Sequence, residues 1–257
     1  GSGLQMSAIA SRDHNHIRAH ETASGLLVTS VEYQDDQTQF HVLECGCGPG
    51  WLWQTSANLS RIPTHCTITL TDLSPGMVAE AQSVLASHSV DFRFQDANIE
   101  ELPFEDNRFD VVTANHMLYH VPSIPKAIAE VRRVLKPDGR FVAVTNGAGH
   151  LRELKDMAAH LVPNDSWVRM GPLPFSLENG QSLIGEQFDH LELHRVEGDA
   201  LHVIEIEPII AYILSSSENR AMATETRLQE LVARLEAQLA TDDYIYIGKD
   251  VGLFVAW

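Results

Sequence analysis

Residues 40–50, Phe40-His41-Val42-Leu43-Glu44-Cys45-Gly46-Cys47-Gly48-Pro49-Gly50, carry the deciding pattern. Phe40 to Cys45 is a short, mostly apolar run that stops at a cluster of glycines, as a buried strand entering a turn does. Glycine lets the backbone turn tightly and come close to a ligand. In open α/β sheets the first strand-to-helix turn is where nucleotides bind. A dinucleotide fingerprint, G-x-G-x-x-G, would need glycine at position 51, which is Trp51. The spacing here is E-x-G-x-G-x-G, running from Glu44 through Gly46 and Gly48 to Gly50.

Working outward, strands and helices alternate. Thr67 to Asp72 is β-branched and alternating, a second strand. Ser74-Pro75 then starts a helix that reaches about Ser87, with serine as cap and proline at the first helical position. Val90 to Gln95 reads as a third strand, and Phe109 to Ala114 as a central, continuously apolar fourth. Ile124 to Leu135 has helical spacing, Pro137-Asp138-Gly139 reads as a turn, and Arg140 to Thr145 as a fifth strand. Leu191 to Val196 and Gly252 to Trp257 complete seven strands. Residues 8–31, Trp51 to Leu59, Leu151 to Leu161, Glu207 to Ser215 and Glu218 to Leu239 read as helices. Val162 to Glu178, with Pro163, Gly171, Pro172 and Pro174, reads as a loop or lid. The alternation predicts an α/β fold, a mostly parallel, doubly wound sheet with helices on both faces.

Composition narrows the function. The chain has 257 residues, 44% hydrophobic and 21% charged, ordinary for a globular protein. It carries 18 Lys and Arg against 35 Asp and Glu, a formal charge of −17, which argues against a nucleic-acid partner. Arg132-Arg133 with Lys136 reads as a solvated helix face. No apolar run approaches the ~20 residues of a membrane span. Gly1 to Gln5 lacks a secretory pattern and reads as a cloning remnant ahead of Met6. The three cysteines lack disulfide or zinc spacing, which fits a reducing cytoplasm and no metal site.

The ordered set of motifs resembles the class I methyltransferases that use S-adenosylmethionine (SAM). Beyond the Gly46–Gly50 loop, Asp72 closes the second strand and Gln95-Asp96-Ala97 follows the third. Leu102-Pro103-Phe104 and Phe109-Asp110-Val111-Val112 come next, then Asn115-His116-Met117-Leu118-Tyr119-His120-Val121. Glu130-Val131, Val134-Leu135-Lys136-Pro137 and Gly139 close the series, so the likeness covers about residues 40–147. It implies a single domain over 6–257 with strand order 3-2-1-4-5-7-6. It also implies that Glu44, Gly46, Cys47, Gly48, Gly50 and Asn115 hold the methionine end of SAM. Asp72 would bind the ribose, Leu73 and Met77 would pack on the adenine, and Asp96 with Ala97 would bind its edge. The duller alternatives are a helix cap for Asp72, although Ser74 is the better cap, a turn for Asp96 and core packing for Met77.

Methyl transfer by in-line displacement asks mainly for alignment, and for a base only where the acceptor must lose a proton. His116 and His120 lie four apart after the fourth strand, share one face if that segment is helical, and are the candidate bases. Alternatively His120 bonds SAM or the loop. Acceptor contacts in this fold come from the N-terminal helix and the insertion after the fifth strand, here residues 11–31 and 162–182. His14, Arg18, Tyr119, Trp167 and Arg169 are the candidates. The expectation is methylation of an O or N atom of a small organic acceptor, releasing S-adenosylhomocysteine (SAH), by a monomer or homodimer. The alternatives are a macromolecular acceptor (RNA or protein) and a SAM-binding protein without turnover.

Overall fold

The computed structural model describes residues 39–54, 62, 65–162, 172–196, 198–215 and 217–257. By their contacts these fall into two compact units, one holding the described residues of 39–147, 174–195 and 251–257, the other those of 148–173 and 196–250.

The larger unit is built on a seven-stranded sheet. Its strands are β1 (Phe40–Cys45), β2 (Cys66–Asp72), β3 (Asp91–Asp96), β4 (Phe109–Asn115), β5 (Leu135–Asn146), β6 (Leu191–Val196) and β9 (Val251–Ala256). Their order is β3-β2-β1-β4-β5-β9-β6. β1 pairs in parallel with β2 and β4, and so do β2 with β3 and β4 with β5. β9 runs antiparallel to β5. Two strands absent from the sequence reading, β7 (Ala200–Val203) and β8 (Ile245–Gly248), precede the last strand and make it the ninth.

Alternation along each strand divides the sheet's side chains between two cores. Leu43, Cys45, Val112, Ala114, Phe141 and Ala143 join Ile124, Ala127, Ile128, Val131 and Val134 of helix α2 (Ile124–Val134). Val42, Ile68, Leu70, Val111, Val142 and Val144 join Ala81 and Leu85 of helix α1 (Pro75–Leu85). Each such large aliphatic side chain buried contributes ~1.5–3 kcal/mol. Because both faces are covered, the central strands have no polar side to spare, and their sequences are nearly continuous in apolar residues. α1 starts as expected: Ser74 caps it, accepting from the Met77 N–H, with Pro75 next. β3 is the sheet edge, with Phe92 and Phe94 turned inward and Asp91, Arg93 and Gln95 exposed, which discourages further strand pairing.

Two local expectations change. Pro137-Asp138-Gly139 is not a turn between helix and strand but lies within β5. Phe109 pairs with Leu135 and Val111 with Arg140, so two steps of β4 face five of β5. The surplus forms a bulge, where a proline without an N–H is tolerated.

Arg133 is not a solvated residue either. Its guanidinium donates to the carbonyls of Leu102 (2.9 Å) and Phe104 (2.7 Å), to Asp106 (2.8 Å) and to both oxygens of Glu130. Glu130 also accepts from the Leu102 N–H, at 2.8 Å. The pair ties α2 to the connection ahead of β4, and Arg133 holds the Glu130 carboxyl below its ordinary range. Arg133→Ala is therefore expected to cost about 2–3 kcal/mol at pH 7, measured by urea unfolding. Because the Glu130 pKa is depressed, its share is complete above the ordinary carboxylate range and is lost as pH falls through the lowered value.

The smaller unit packs helix α3 (Arg152–Leu161), α5 (Glu207–Ile213), α6 (Ser217–Met222) and α7 (Glu225–Asp242) with the β7–β8 hairpin. Its core includes Leu154, Leu161, Ile209, Leu231, Leu235 and Ile247. The helix expected over Glu218 to Leu239 is two helices. They break before Thr224, whose hydroxyl caps α7 by accepting from the Arg227 N–H. A buried ion pair joins Lys249 to Asp199 at 3.3 Å. Short helix α4 (Gly180–Ile184) belongs to the larger unit. No helix among the described residues is long and apolar enough to cross a membrane.

Candidate functional site

The carboxyl ends of β1, β2, β3 and β4 bring the predicted cofactor residues together. β1 ends at Cys45, and Gly46, Gly48 and Gly50 follow with φ of 69°, 53° and 78°. All three lie in the left-handed region that favours glycine. A Cβ on Gly46 would lie 2.8 Å from the Met117 side chain, whereas one on Gly48 would meet nothing within 4 Å among the described residues. Gly46 is thus fixed by packing, and Gly48 has room beside it among the described residues. The helix expected over Trp51 to Leu59 begins as one 3-10 turn, Trp51–Trp53, and residues 55–60 lie outside the described residues.

Asp72 is the hinge between this loop and α1. One carboxylate oxygen accepts from the Gly48 N–H (3.0 Å), the other from the Ser74 N–H (2.9 Å). Each oxygen keeps a lone pair for another donor. Asp96 lies beside Asp72 in register and is exposed, and the Ala97 N–H donates to the Asp72 carbonyl at 3.0 Å. Leu73 is 72% exposed and Met77 41%, so neither is core, contrary to the duller reading of Met77. Two apolar side chains and two acids therefore share one rim.

Glu44 is buried, and both its oxygens are held. Trp53 Nε1 donates to Oε2 at 2.6 Å, and Asn115 Nδ2 donates to Oε1 at 3.0 Å. Thr113 Oγ1 donates in turn to Asn115 Oδ1 at 3.1 Å. Burial pushes the Glu44 carboxyl up to about 7, the two donors oppose that, and the Asp72 charge adds to it. In the sequence Trp53 reads first as core and otherwise as an aromatic wall of the acceptor pocket, so its use as a donor to Glu44 goes unseen there. The Cys47 side chain is buried, its thiol pushed up by desolvation, and its Sγ lies 3.3 Å from the Gly48 carbonyl. Its N–H donates to Thr71 and helps set the loop.

His116 and His120 do not share a helix face. His116 has a left-handed backbone, φ 51°, and precedes a single 3-10 turn, Leu118–His120. The left-handed residue turns the chain away from β4, which breaks the helical spacing. His116 is half-buried, His120 is exposed, and the Tyr119 ring lies 4.5 Å from the His120 ring, edge on. His14, Arg18, Trp167 and Arg169 lie outside the described residues, as do residues 11–31 and, within 162–182, residues 163–171. No group of three His, Cys, Asp or Glu among the described residues could hold a metal ion.

Residues 43–143 match the family model described as a methyltransferase domain. The chain is 33% identical over 138 residues to the uncharacterized methyltransferase YcgJ of Bacillus subtilis, spanning 53% of this chain and 51% of that one. It is 37% identical over 114 residues to the demethylmenaquinone methyltransferase of Symbiobacterium thermophilum, spanning 42% of this chain and 45% of that one. The chain thus matches about half the length of these curated relatives. The crystal structure of YcgJ superposes with a TM-score of 0.58 at 22% identity, over 92% of this chain and 97% of that one, a likeness of fold.

Proposed function

We propose that the chain, whose residues 43–143 match a methyltransferase domain, is a SAM-dependent class I methyltransferase that methylates an O or N atom of a small organic acceptor. The observation that carries the cofactor assignment is Asp72. Its two oxygens are oriented by backbone N–H groups of the loop and of α1, with acceptor capacity left for two ribose hydroxyls. Leu73 and Met77 offer apolar contact to the adenine, and Asp96 with Ala97 faces its edge. Glu44, Gly46, Cys47, Gly48, Gly50 and Asn115 form the cradle for the methionine end. Among the described residues, the room at Gly48 and a buried acid with no basic hydrogen-bond partner suit a ligand bearing an ammonium and a sulfonium.

SAM supplies a methyl group on a positively charged sulfur, already activated for displacement. This chain's residues then have to bind, orient and exclude water. His120, exposed after β4, is the proposed base for an acceptor that must lose a proton, and His116 is the second candidate. Tyr119, beside the His120 ring, would wall the acceptor, together with residues 11–31 and 162–182 and with His14, Arg18, Trp167 and Arg169 in them. A small acceptor agrees with the −17 charge and with a relative named for a demethylated quinone.

The test is calorimetric titration of the protein with SAH, SAM and NADH in parallel. Micromolar binding of the first two, with none of NADH, is the expected result and justifies an acceptor screen. Failure of both SAM ligands would overturn the reading. Once an acceptor is found, His120→Ala is expected to lower kcat ~100-fold while SAH affinity changes little. A collapse of SAH affinity with kcat preserved would make His120 a cofactor residue instead.

A further inference from the structure

Glu44 is a buried acid whose environment holds no cation among the described residues. Among the described residues the charged or titratable groups facing it are Asp72, which is negative, and the thiols of Cys45 and Cys47, both pushed up by burial and neutral. Across the sheet its register partners are Leu70 and Thr113, which do not ionise. Only hydrogen bonds then favour the carboxylate over the acid, and they come from two separate elements. Asn115, at the end of β4, serves one oxygen, and Trp53, in the turn after the glycine loop, serves the other. The Trp53 ring is itself buried and held edge-on by Phe92 at 6.2 Å, so its N–H has one direction to point.

We propose that Trp53 is a positioning residue of the cofactor site: its indole N–H, opposite the Asn115 amide, keeps the Glu44 carboxylate ionised and oriented at the root of the glycine loop. This rests on the reading of that loop as the seat of the methionine end of SAM. A carboxylate there attracts the ligand's ammonium, and a protonated Glu44 does not. Removing one of its two donors favours the protonated form. Affinity should therefore fall with decreasing pH in the natural protein, and should begin to fall at a higher pH once the N–H is gone.

The experiment measures SAH dissociation constants from about pH 6 to pH 9 for the natural protein, for Trp53→Phe, and for a variant with benzothienylalanine at position 53. The last keeps the bicyclic shape and lacks the N–H, so it remains informative if Trp53→Phe folds poorly. The ratio of variant to natural dissociation constant is the readout, since titration of the ligand's own amine cancels from it. The expected ratio is roughly tenfold at pH 6, falling toward one at pH 9. In a Glu44→Gln background the pH dependence of that ratio should vanish. A ratio that is constant across pH would make Trp53 a packing residue, and a ratio of one throughout would remove it from the site. Either result overturns the proposal. Absence of SAH binding by the natural protein would instead overturn the cofactor reading beneath it.

Discussion

Asp72→Ala is expected to weaken SAH binding by about 2–3 kcal/mol, a loss near a hundredfold. Two losses combine. The ribose hydroxyls would lose a charged acceptor, and the Gly48 and Ser74 N–H groups would lose the side chain that now joins the loop to α1. Asp72→Asn separates them, because its single carbonyl oxygen can serve only one of the two backbone donors. It should fall between the natural protein and the alanine variant, about tenfold down. The cost to folding should be much smaller than the cost to binding, since Asp72 is only half-buried and Ser74 still caps the helix. Calorimetry showing unchanged affinity in the alanine variant would remove Asp72 from the ribose site.

Glu44→Gln is expected to stabilise the unliganded protein at pH 8 while weakening its hold on SAH. The folded chain raises this carboxyl from 4.5 to about 7. The folded state thus keeps the proton up to about 7, where the unfolded state has already released it. The stability this lends is complete below 4.5 and is lost as pH rises through about 7. Above that, the buried charge costs up to about 3 kcal/mol. Glutamine carries no charge at any pH. It can also be accommodated, because its carbonyl can take the Trp53 N–H while its amide donates to a turned Asn115, whose amide in turn meets the Thr113 hydroxyl. Urea unfolding should show the variant ~1–3 kcal/mol more stable at pH 8 and nearly equal at pH 5. SAH affinity at pH 8 should drop roughly tenfold. Equal stability at both pH values would mean that the buried charge costs the fold nothing.

How far the sequence could be read follows from which signals are local. The strand-glycine junction at Glu44 to Gly50, the Ser74-Pro75 cap and the apolar run of β4 each announce themselves within a few residues, and the structure places the junction, the cap and the carboxyl end of β4 at one end of the sheet. Pro137-Asp138-Gly139 has every local mark of a turn. Only the pairing of β5 with Phe109 and Val111 turns it into a bulge. Arg133 looks like any charged residue on a helix until the carbonyls of Leu102 and Phe104 arrive from ~30 residues away. Trp53 fails the same way, since nothing near it in sequence says its N–H meets a carboxylate nine residues back. The break at Thr224 was legible as a cap but was hidden by the strong helical patterns on both sides.

The place of β9 bears on how this sheet is assembled as the chain is made. Asn146 pairs with Val251, so β5 waits for more than a hundred residues before its neighbour on that side exists. Meanwhile β1 to β4 can pair with strands already emerged, but the free edge of β5 exposes an apolar, hydrogen-bonding ribbon. The residues of the smaller unit are synthesised during that wait. A nascent chain stalled before residue 251 is therefore expected to be the species that chaperones bind and that aggregates, and release of the last strand is the step that ends the exposure.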